Sequence, residues 1–231
     1  MNPHEHILHS VDEEQQRLKG ALLRMGGMAA DQLVAALDAV DARDDAAARR
    51  VVEADAAIDR LEQDTSQDAM KLALRGPMAR DLREILAAIR IASDLERIGD
   101  YGANVAKRSL VLNTLPPLPQ TGGLAMLGEL AARQVRRVMD AYRDNDAGVA
   151  RAVRDDDAAI DRQYTGLFRE LLTHMMEDPR NITGCTHLLF MAKNIERIGD
   201  HATNIAENVL FLLTGDDALP PREKRDTTMA P

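Results

Sequence analysis

Apolar residues recur at steps of three and four along most of the chain, the spacing that places them on one face of an α-helix. This pattern predicts six long helices, at about residues 5–41, 45–75, 79–112, 122–143, 146–177 and 183–214. Gly76-Pro77 and Asp178-Pro179 end the second and the fifth of them, because proline cannot continue a helix. The sequence therefore predicts an all-α fold.

A stretch rich in proline and glycine, NTLPPLPQTGG, separates the third predicted helix from the fourth. We interpret residues 113–121 as a linker, because this composition cannot continue a helix. The same order of three helices begins again after it. We expect a first bundle over residues 5–112, a second over residues 122–214, and a polar, proline-containing and disordered tail over residues 215–231.

Two short signatures occur in the same order in both halves of the chain. The segment DAAIDR occupies residues 55–60 and 157–162, and ERIGD occupies residues 96–100 and 196–200. Two exact repeats at nearly constant separation are what an internal duplication leaves. The sequence therefore predicts two tandem, pseudo-symmetric three-helix bundles.

Composition narrows the classes of function. The formal charge of −9 repels nucleic-acid phosphate, and no basic stretch with interleaved aromatic residues offsets it, so we expect no nucleic-acid binding. The lone Cys185 leaves no disulfide framework, and we interpret it as a small buried apolar residue. Because we find neither a signal peptide nor an apolar run of the roughly 18 residues that span a bilayer, we expect a cytoplasmic protein.

Four acidic positions in each half lie beside the apolar stripe of their helix rather than opposite to it. They are Asp55, Asp59, Glu96 and Asp100 in the first half and Asp157, Asp161, Glu196 and Asp200 in the second. If the two helices of each half pack antiparallel, the four carboxylates meet at one level. Partly buried carboxylates repel one another unless a cation neutralises them.

The identity of that cation is open at this point. A metal ion is one solution, because carboxylates, together with an amide oxygen of Asn104 or Asn204, suit Mg, Mn or Fe, with Zn also possible. The acids could instead be a solvated face, or they could form salt bridges with the neighbouring Arg60, Arg97, Arg162 and Arg197. Gly99 lies within the apolar stripe, where we expect it to allow a neighbouring helix to approach closely.

Catalysis has little support in the sequence. A di-iron carboxylate bundle is expected to carry Glu-x-x-His pairs, and no glutamate of this chain has a histidine three residues later. His201 follows Asp200 and could contact a metal there, although its counterpart in the first half is Tyr101. We find no glycine-rich phosphate loop and no nucleophile elbow. We therefore expect a binding or regulatory protein and not an enzyme.

The motifs resemble those of the PhoU family of phosphate-signalling regulators. The resemblance is carried by LRGPMARDLREI at residues 74–85, DLERIGDYGANVAKR at 94–108 and NIERIGDHATNIAENVLFLLTG at 194–215, together with the two DAAID segments. It covers the chain from about residue 5 to residue 215. It implies a cytoplasmic accessory protein of two similar three-helix bundles.

The resemblance also implies a function. Proteins of this family are negative regulators of the phosphate-starvation response and are thought to link the ATPase subunit of the phosphate transporter to a sensor histidine kinase. The implied partners are these two proteins and, in a homodimer, a second copy of the chain, with the membrane reached only through partners. The alternatives are a metal-dependent carboxylate-bundle enzyme or metal store, and an accessory protein of a low-affinity phosphate permease.

The acidic motif of the family, Glu or Asp followed four residues later by Asp, holds multinuclear metal clusters in some members. It matches all eight acidic positions named above, so the resemblance implies a divalent or trivalent metal, with Fe, Zn, Mn and Mg as candidates. The halves differ nearby, since Asn194 replaces Asp94 and ITGCTHLLF stands where DLREILAAI is expected. Metal affinity could therefore differ between the halves.

Overall fold

The computed structural model describes residues 3–75, 79–118 and 121–215 of the chain. These residues form seven α-helices, one 3-10 turn and no β-strand. The helices are α1 (Pro3–Ala42), α2 (Asp45–Ala73), α3 (Ala79–Leu112), α4 (Thr121–Asp144), α5 (Ala147–Asp155), α6 (Asp157–Glu177) and α7 (Ile182–Thr214). The prediction of an all-α fold is confirmed. The predicted break at Gly76-Pro77 and all but the first residue of the predicted tail, 215–231, lie outside the described residues.

The predicted fifth helix is interrupted once, at Asp156 between α5 and α6. Asp156 keeps a right-handed helical conformation, with φ −76° and ψ −7°, and its N–H still donates to the carbonyl of Ala152. Aspartate is a weak helix former, and the Asp156 carboxylate is held by Arg137 at 2.6 Å. The equivalent residue of the first half is Ala54, the best helix former, and α2 continues through it without interruption.

The turns that precede α2 and α5 are the same in both halves. Arg43 and Asn145 occupy equivalent positions and adopt φ of 51° and 53°, in the left-handed region. Asp44 and Asp146 follow, and their side chains accept hydrogen bonds from the first backbone N–H groups of the helix. This is N-capping by aspartate, so the duplication preserves the local geometry of the turn even where its residues differ.

The helices form two sets that pack against each other. In the first set α1, α2 and α3 are in mutual contact, and in the second α4, α5 and α6 pack against α7; the sets meet where α1 contacts α4 and α3 contacts α7. Buried apolar residues from both sets join in one continuous hydrophobic cluster. The two halves therefore share a core.

The contact between α1 and α4 is reciprocal. The side chain of Leu37 lies over Gly128, and the side chain of Met139 lies over Gly26, so closely that a Cβ atom at either glycine would overlap with it. Gly26 and Gly128 are equivalent positions of the duplication, and so are Leu37 and Met139. Each half thus supplies one large side chain and receives one, as expected for two pseudo-symmetric units.

The linker after α3 is anchored to the folded helices. The guanidinium group of Arg43 donates to the carbonyl oxygens of Leu112, Asn113 and Leu115, at 3.2, 2.9 and 2.6 Å. Leu115 and Leu118 pack against the shared core.

Cys185 is buried, as predicted. Among the described residues, no helix is both long and apolar enough to cross a membrane.

Candidate metal centre

The first group of predicted acids lies between α2 and α3. We call it the first cradle, and it consists of Asp55, Asp59, Glu96 and Asp100. Gly99 of α3 is in close contact with α2. A Cβ atom at this residue would be 3.0 Å from Ile58 Cδ1 and 3.2 Å from the carboxylate of Asp55. The absence of a side chain at this residue lets the two helices approach, as the sequence predicts.

The first cradle is anchored by a residue that the sequence analysis does not single out. Gln32 of α1 is buried, and its Nε2 donates to the Asp55 carboxylate at 2.8 Å and to the carbonyl of Gly99 at 2.9 Å. The amide thereby joins three helices at the acidic site. Its equivalent in the second half is Gln134, so a search for identical polar residues across the duplication would have found it.

Asp55 is the buried acid of the first cradle. Burial raises the pKa of its carboxyl group, and the hydrogen bond from Gln32 acts in the opposite direction. The charges of Asp59 and Asp100 raise this pKa further, while Lys107 lowers it. These residues are therefore close enough to repel one another.

The pKa of Glu96 is also subject to opposing influences, and one of them comes from a fifth acid. Burial raises its pKa most, Asp100 and Asp59 raise it as well, and Arg97 lowers it. Glu62 also raises the pKa of Glu96. Glu62 lies three residues after Asp59, and hence on the same side of α2, which is the signal that could have added it to the predicted set.

Arginine neutralises part of the first cradle. Arg97 contacts Asp100 at 3.1 Å and Glu96 at 3.4 Å, while its own side chain is 55% exposed. Arg60 donates instead to the carbonyl of Ala56 in its own helix. The salt-bridge interpretation therefore applies to Arg97, and pairs as exposed as this one contribute little to stability.

The second group of acids lies between α6 and α7. We call it the second cradle, and it consists of Asp157, Asp161, Glu196 and Asp200. The first three of these are buried, whereas only Asp55 is buried in the first cradle. Asp157 is the first residue of α6, directly after the interruption at Asp156.

A lysine enters the second cradle. Lys193 Nζ lies 2.8 Å from Glu196 Oε1, and the same ammonium lies 5.1 Å from the centre of the Tyr164 ring. Neither residue belongs to the predicted site. The sequence carries a signal for both, because Tyr164 and Lys193 replace Glu62 and Ser93 at the equivalent positions of the first half.

Glu196 is the buried acid that this lysine contacts. Burial raises the pKa of Glu196, the hydrogen bond and the charge of Lys193 lower it, and Asp200 and Asp161 raise it. Glu196 Oε2 is buried without a hydrogen-bond partner. Gln134 does not reproduce the role of Gln32 in full: its Nε2 donates to the carbonyl of Val153 at 3.0 Å, and its Oε1 is buried without a partner.

Other predicted neighbours of the second cradle point elsewhere. Arg197 lies over the ring of Tyr101, at 5.7 Å, in the opposite half of the molecule. His201 Nδ1 lies 2.8 Å from Asp94 Oδ1, and the side-chain amide of Asn204 donates to the same oxygen at 3.4 Å. His201 and Asn204 thus join α7 to α3, because packing of the two halves brings an acid of the first half within their reach.

The donor set fits a hard or borderline metal ion, since both cradles present carboxylate oxygens. As the side chains are placed, however, no three His, Cys, Asp or Glu residues in the described part of the chain converge closely enough to hold one ion. Asp59, Glu96 and Asp100 are only half-buried, so the first cradle has room for its carboxylates to turn toward a shared ion. Metal binding at the eight acids stays a prediction.

Comparison with known proteins places this arrangement in a family. The family model of the PhoU domain matches the chain twice, over residues 22–109 and 124–209. The chain belongs to the PhoU family. Each match covers one of the two helix sets, so the family assignment agrees with the internal duplication.

Relatives in this family are similar over nearly their whole length. A phosphate-specific transport system accessory protein PhoU homolog of Xylella fastidiosa (strain 9a5c) is 65% identical over 96% of this chain and 94% of its own. A homolog with the same description in Rhizobium meliloti (strain 1021) is 48% identical over 97% of this chain and 96% of its own. These descriptions are of a transport accessory protein and not of an enzyme.

Solved structures of PhoU proteins have the same fold. The crystal structure of PhoU from Pseudomonas aeruginosa matches 89% of this chain and 99% of its own with a TM-score of 0.86, at 35% sequence identity. The phosphate transport system regulatory protein PhoU from Streptococcus pneumoniae matches 91% of this chain and 100% of its own with a TM-score of 0.83, at 27% identity.

Proposed function

We propose that this chain is a cytoplasmic accessory protein of the phosphate-specific transport system and a negative regulator of the phosphate-starvation response. The observation that carries the proposal is full-length identity, up to 65%, to relatives described as accessory proteins of that system. In this proposal the chain connects the ATPase subunit of the transporter to a sensor histidine kinase. Such a role needs docking surfaces and no catalytic residues.

Paired exposed apolar residues support a docking role. Six large apolar side chains form three equivalent pairs across the duplication, which are Met70 and Leu172, Leu74 and Met176, and Leu82 and Ile182. They lie where α2 is followed by α3 and where α6 is followed by α7, and the most exposed are Leu74 at 83% and Met176 at 85%. Large apolar side chains that are exposed at equivalent positions of both halves are candidates for a protein contact. We call these two ends the first tip and the second tip.

We propose that the ATPase subunit docks on these tips, because the relatives are named for the transport system and not for a kinase. The variants L74D and M176D should each weaken capture of the ATPase subunit in a pull-down, and the double variant should abolish it. Q67D, which adds the same charge at an exposed position of α2, is the matched control. Undiminished capture by the double variant would exclude the tips as the docking surface.

The regulatory role is tested in cells. Deletion of the gene should raise expression of phosphate-starvation genes in phosphate-rich medium, and the intact gene supplied in trans should restore repression. Unchanged expression would remove the regulatory claim. If expression is unchanged but phosphate uptake through a low-affinity permease is altered, the permease alternative is the better description.

We also propose that the acidic cradles bind divalent or trivalent metal ions in the folded protein. The carboxylate donors, the burial of Asp55 and the raised pKa of Glu96 support a site that gains from a bound cation. A bound metal would supply positive charge that relieves the repulsion within the cradle. Gln32 would hold Asp55 in place there.

A further inference from the structure

Among the differences between the two cradles is one coupled pair of positions on facing helices. Where the first cradle is followed along α2 by Glu62, the second is followed along α6 by Tyr164. Where α3 carries the small polar Ser93 one turn before Glu96, α7 carries Lys193 one turn before Glu196. On these facing helices the first half therefore carries an acid and a neutral residue, and the second half carries an aromatic ring and a cation at the same positions.

Lys193 is fixed between these two changes. Its ammonium is 2.8 Å from Glu196 Oε1 and 5.1 Å from the centre of the Tyr164 ring. A charged ammonium above an aromatic face is attracted by the ring quadrupole, and hydrogen bonds to a carboxylate are among the strong ones. The exchange of both residues together gives the ammonium a partner on each side.

Glu62 and Lys193 change the charge of their cradles in opposite directions. Glu62 adds a negative charge beside Glu96, whereas Lys193 adds a positive charge beside Glu196. The first cradle with Glu62 presents five carboxylates; Arg97, which contacts two of them, is 55% exposed, and the charge of Lys107 also acts on Asp55. The second cradle presents four carboxylates, and the buried Glu196 among them is bound by an ammonium that is 35% exposed.

We propose that Lys193 is the resident cation of the second cradle. Metal ions therefore bind preferentially at the first cradle, where Glu62 supplies an additional carboxylate. This inference rests on the proposed metal binding of the cradles and specifies where it occurs. A divalent ion in the second cradle would have to displace the ammonium from Glu196 or tolerate a like charge at short range, and like charges in a partly buried site repel strongly.

Titration of the full, untagged chain with Mn²⁺ tests this preference by isothermal calorimetry and by elemental analysis after dialysis. The variants E96Q and D59N should each lose the tightest class of Mn²⁺ binding. E62Q should weaken that class on the order of tenfold, by removal of one negative charge. D64N removes an exposed acid of the same helix and should leave Mn²⁺ binding unchanged.

Exchange of the lysine between cradles is the decisive experiment. S93K should weaken Mn²⁺ binding to the first cradle by at least about tenfold, because the new ammonium lies beside Glu96. K193S should create a second class of Mn²⁺ sites, and added E196Q should remove that class again. Far-UV circular dichroism and thermal unfolding identify any variant that fails to fold. If K193S fails to fold, E62Q and S93K still test the proposal, because Glu62 is half-buried and Ser93 is exposed.

Several outcomes would overturn the inference. They are an E196Q variant that loses as much Mn²⁺ binding as E96Q, an S93K variant that binds Mn²⁺ normally, or a folded K193S variant without additional sites. Absence of Mn²⁺ binding to the unmodified chain would overturn it as well. None of these results bears on the transport accessory role, which the expression of phosphate-starvation genes tests separately.

Discussion

The first and second cradles carry the same acidic letters in different surroundings. In the first, one acid is buried, Gln32 holds it, and an exposed arginine covers two others. In the second, three acids are buried and a lysine binds one of them, Glu196. Duplication has kept the carboxylates while their neighbours diverged. Equal motifs are therefore not evidence of equal sites, because the charge of a cradle is set as much by adjacent turns and helices as by the motif.

Removal of the lysine from the second cradle is expected to have the largest effect on stability. K193M leaves the buried Glu196 without its cation and should lower the free energy of unfolding by about 1–3 kcal/mol. Replacement of the equivalent, exposed Ser93 by Met should change it by less than about 0.5 kcal/mol. Urea unfolding followed by circular dichroism measures both. Equal effects in the two variants would mean that the cradles are electrostatically alike.

The next largest difference in stability is expected between variants of the two equivalent glutamines, Gln32 and Gln134. Q32L removes the donor to the Asp55 carboxylate and to the carbonyl of Gly99, so we expect a loss of about 1–2 kcal/mol. Q134L removes one hydrogen bond but also an amide oxygen that is buried without a partner, so its cost should be smaller. Urea unfolding of the two variants under the same conditions provides the comparison. A larger loss in Q134L would contradict the hydrogen-bond assignment.

A smaller difference between the cradles is expected in how the free energy of unfolding depends on pH. Because the folded-state pKa of Glu196 is raised, its contribution to stability is fully present below the ordinary glutamate pKa and is lost as the pH rises through the folded value. Lys193 lowers that pKa, so K193M should make stability fall more steeply as the pH rises above the ordinary glutamate value. E196Q added to K193M should abolish the extra slope. Free energies of unfolding measured from pH 4 to pH 8 in steps of about half a unit are sufficient.

The smallest effect is expected from Arg97. Its ion pairs with Glu96 and Asp100 are exposed, so R97A should change the free energy of unfolding by less than about 1 kcal/mol, and by less still at 1 M salt. Urea unfolding at low and high salt measures this. A loss as large as that of K193M would show that arginine supports the first cradle as strongly as lysine supports the second.

Local features of the molecule could be predicted from the sequence because they depend on neighbours in the chain. Helical periodicity and the proline breaks located the helices, and the repeated DAAIDR and ERIGD segments indicated the duplication and the close approach at Gly99. The interruption at Asp156 was missed, since a weak helix former ends a helix only when its surroundings allow it. The predicted membership of each cradle was incomplete: spacing along α2 and comparison of the halves single out Glu62 and Lys193, but the facing helix shows that they act on Glu96 and Glu196.

The helices, their duplication and the eight acids beside the core follow from the order of the residues alone. Which group neutralises each acid depends on how the helices pack, because a side chain as long as lysine or arginine can reach several partners and takes the one that packing brings near. Thus Arg197 lies over Tyr101 of the other half, His201 contacts Asp94, and Lys193 occupies the second cradle. Charge neutralisation depends on distances between helices, and these are set by the shared core of the two halves.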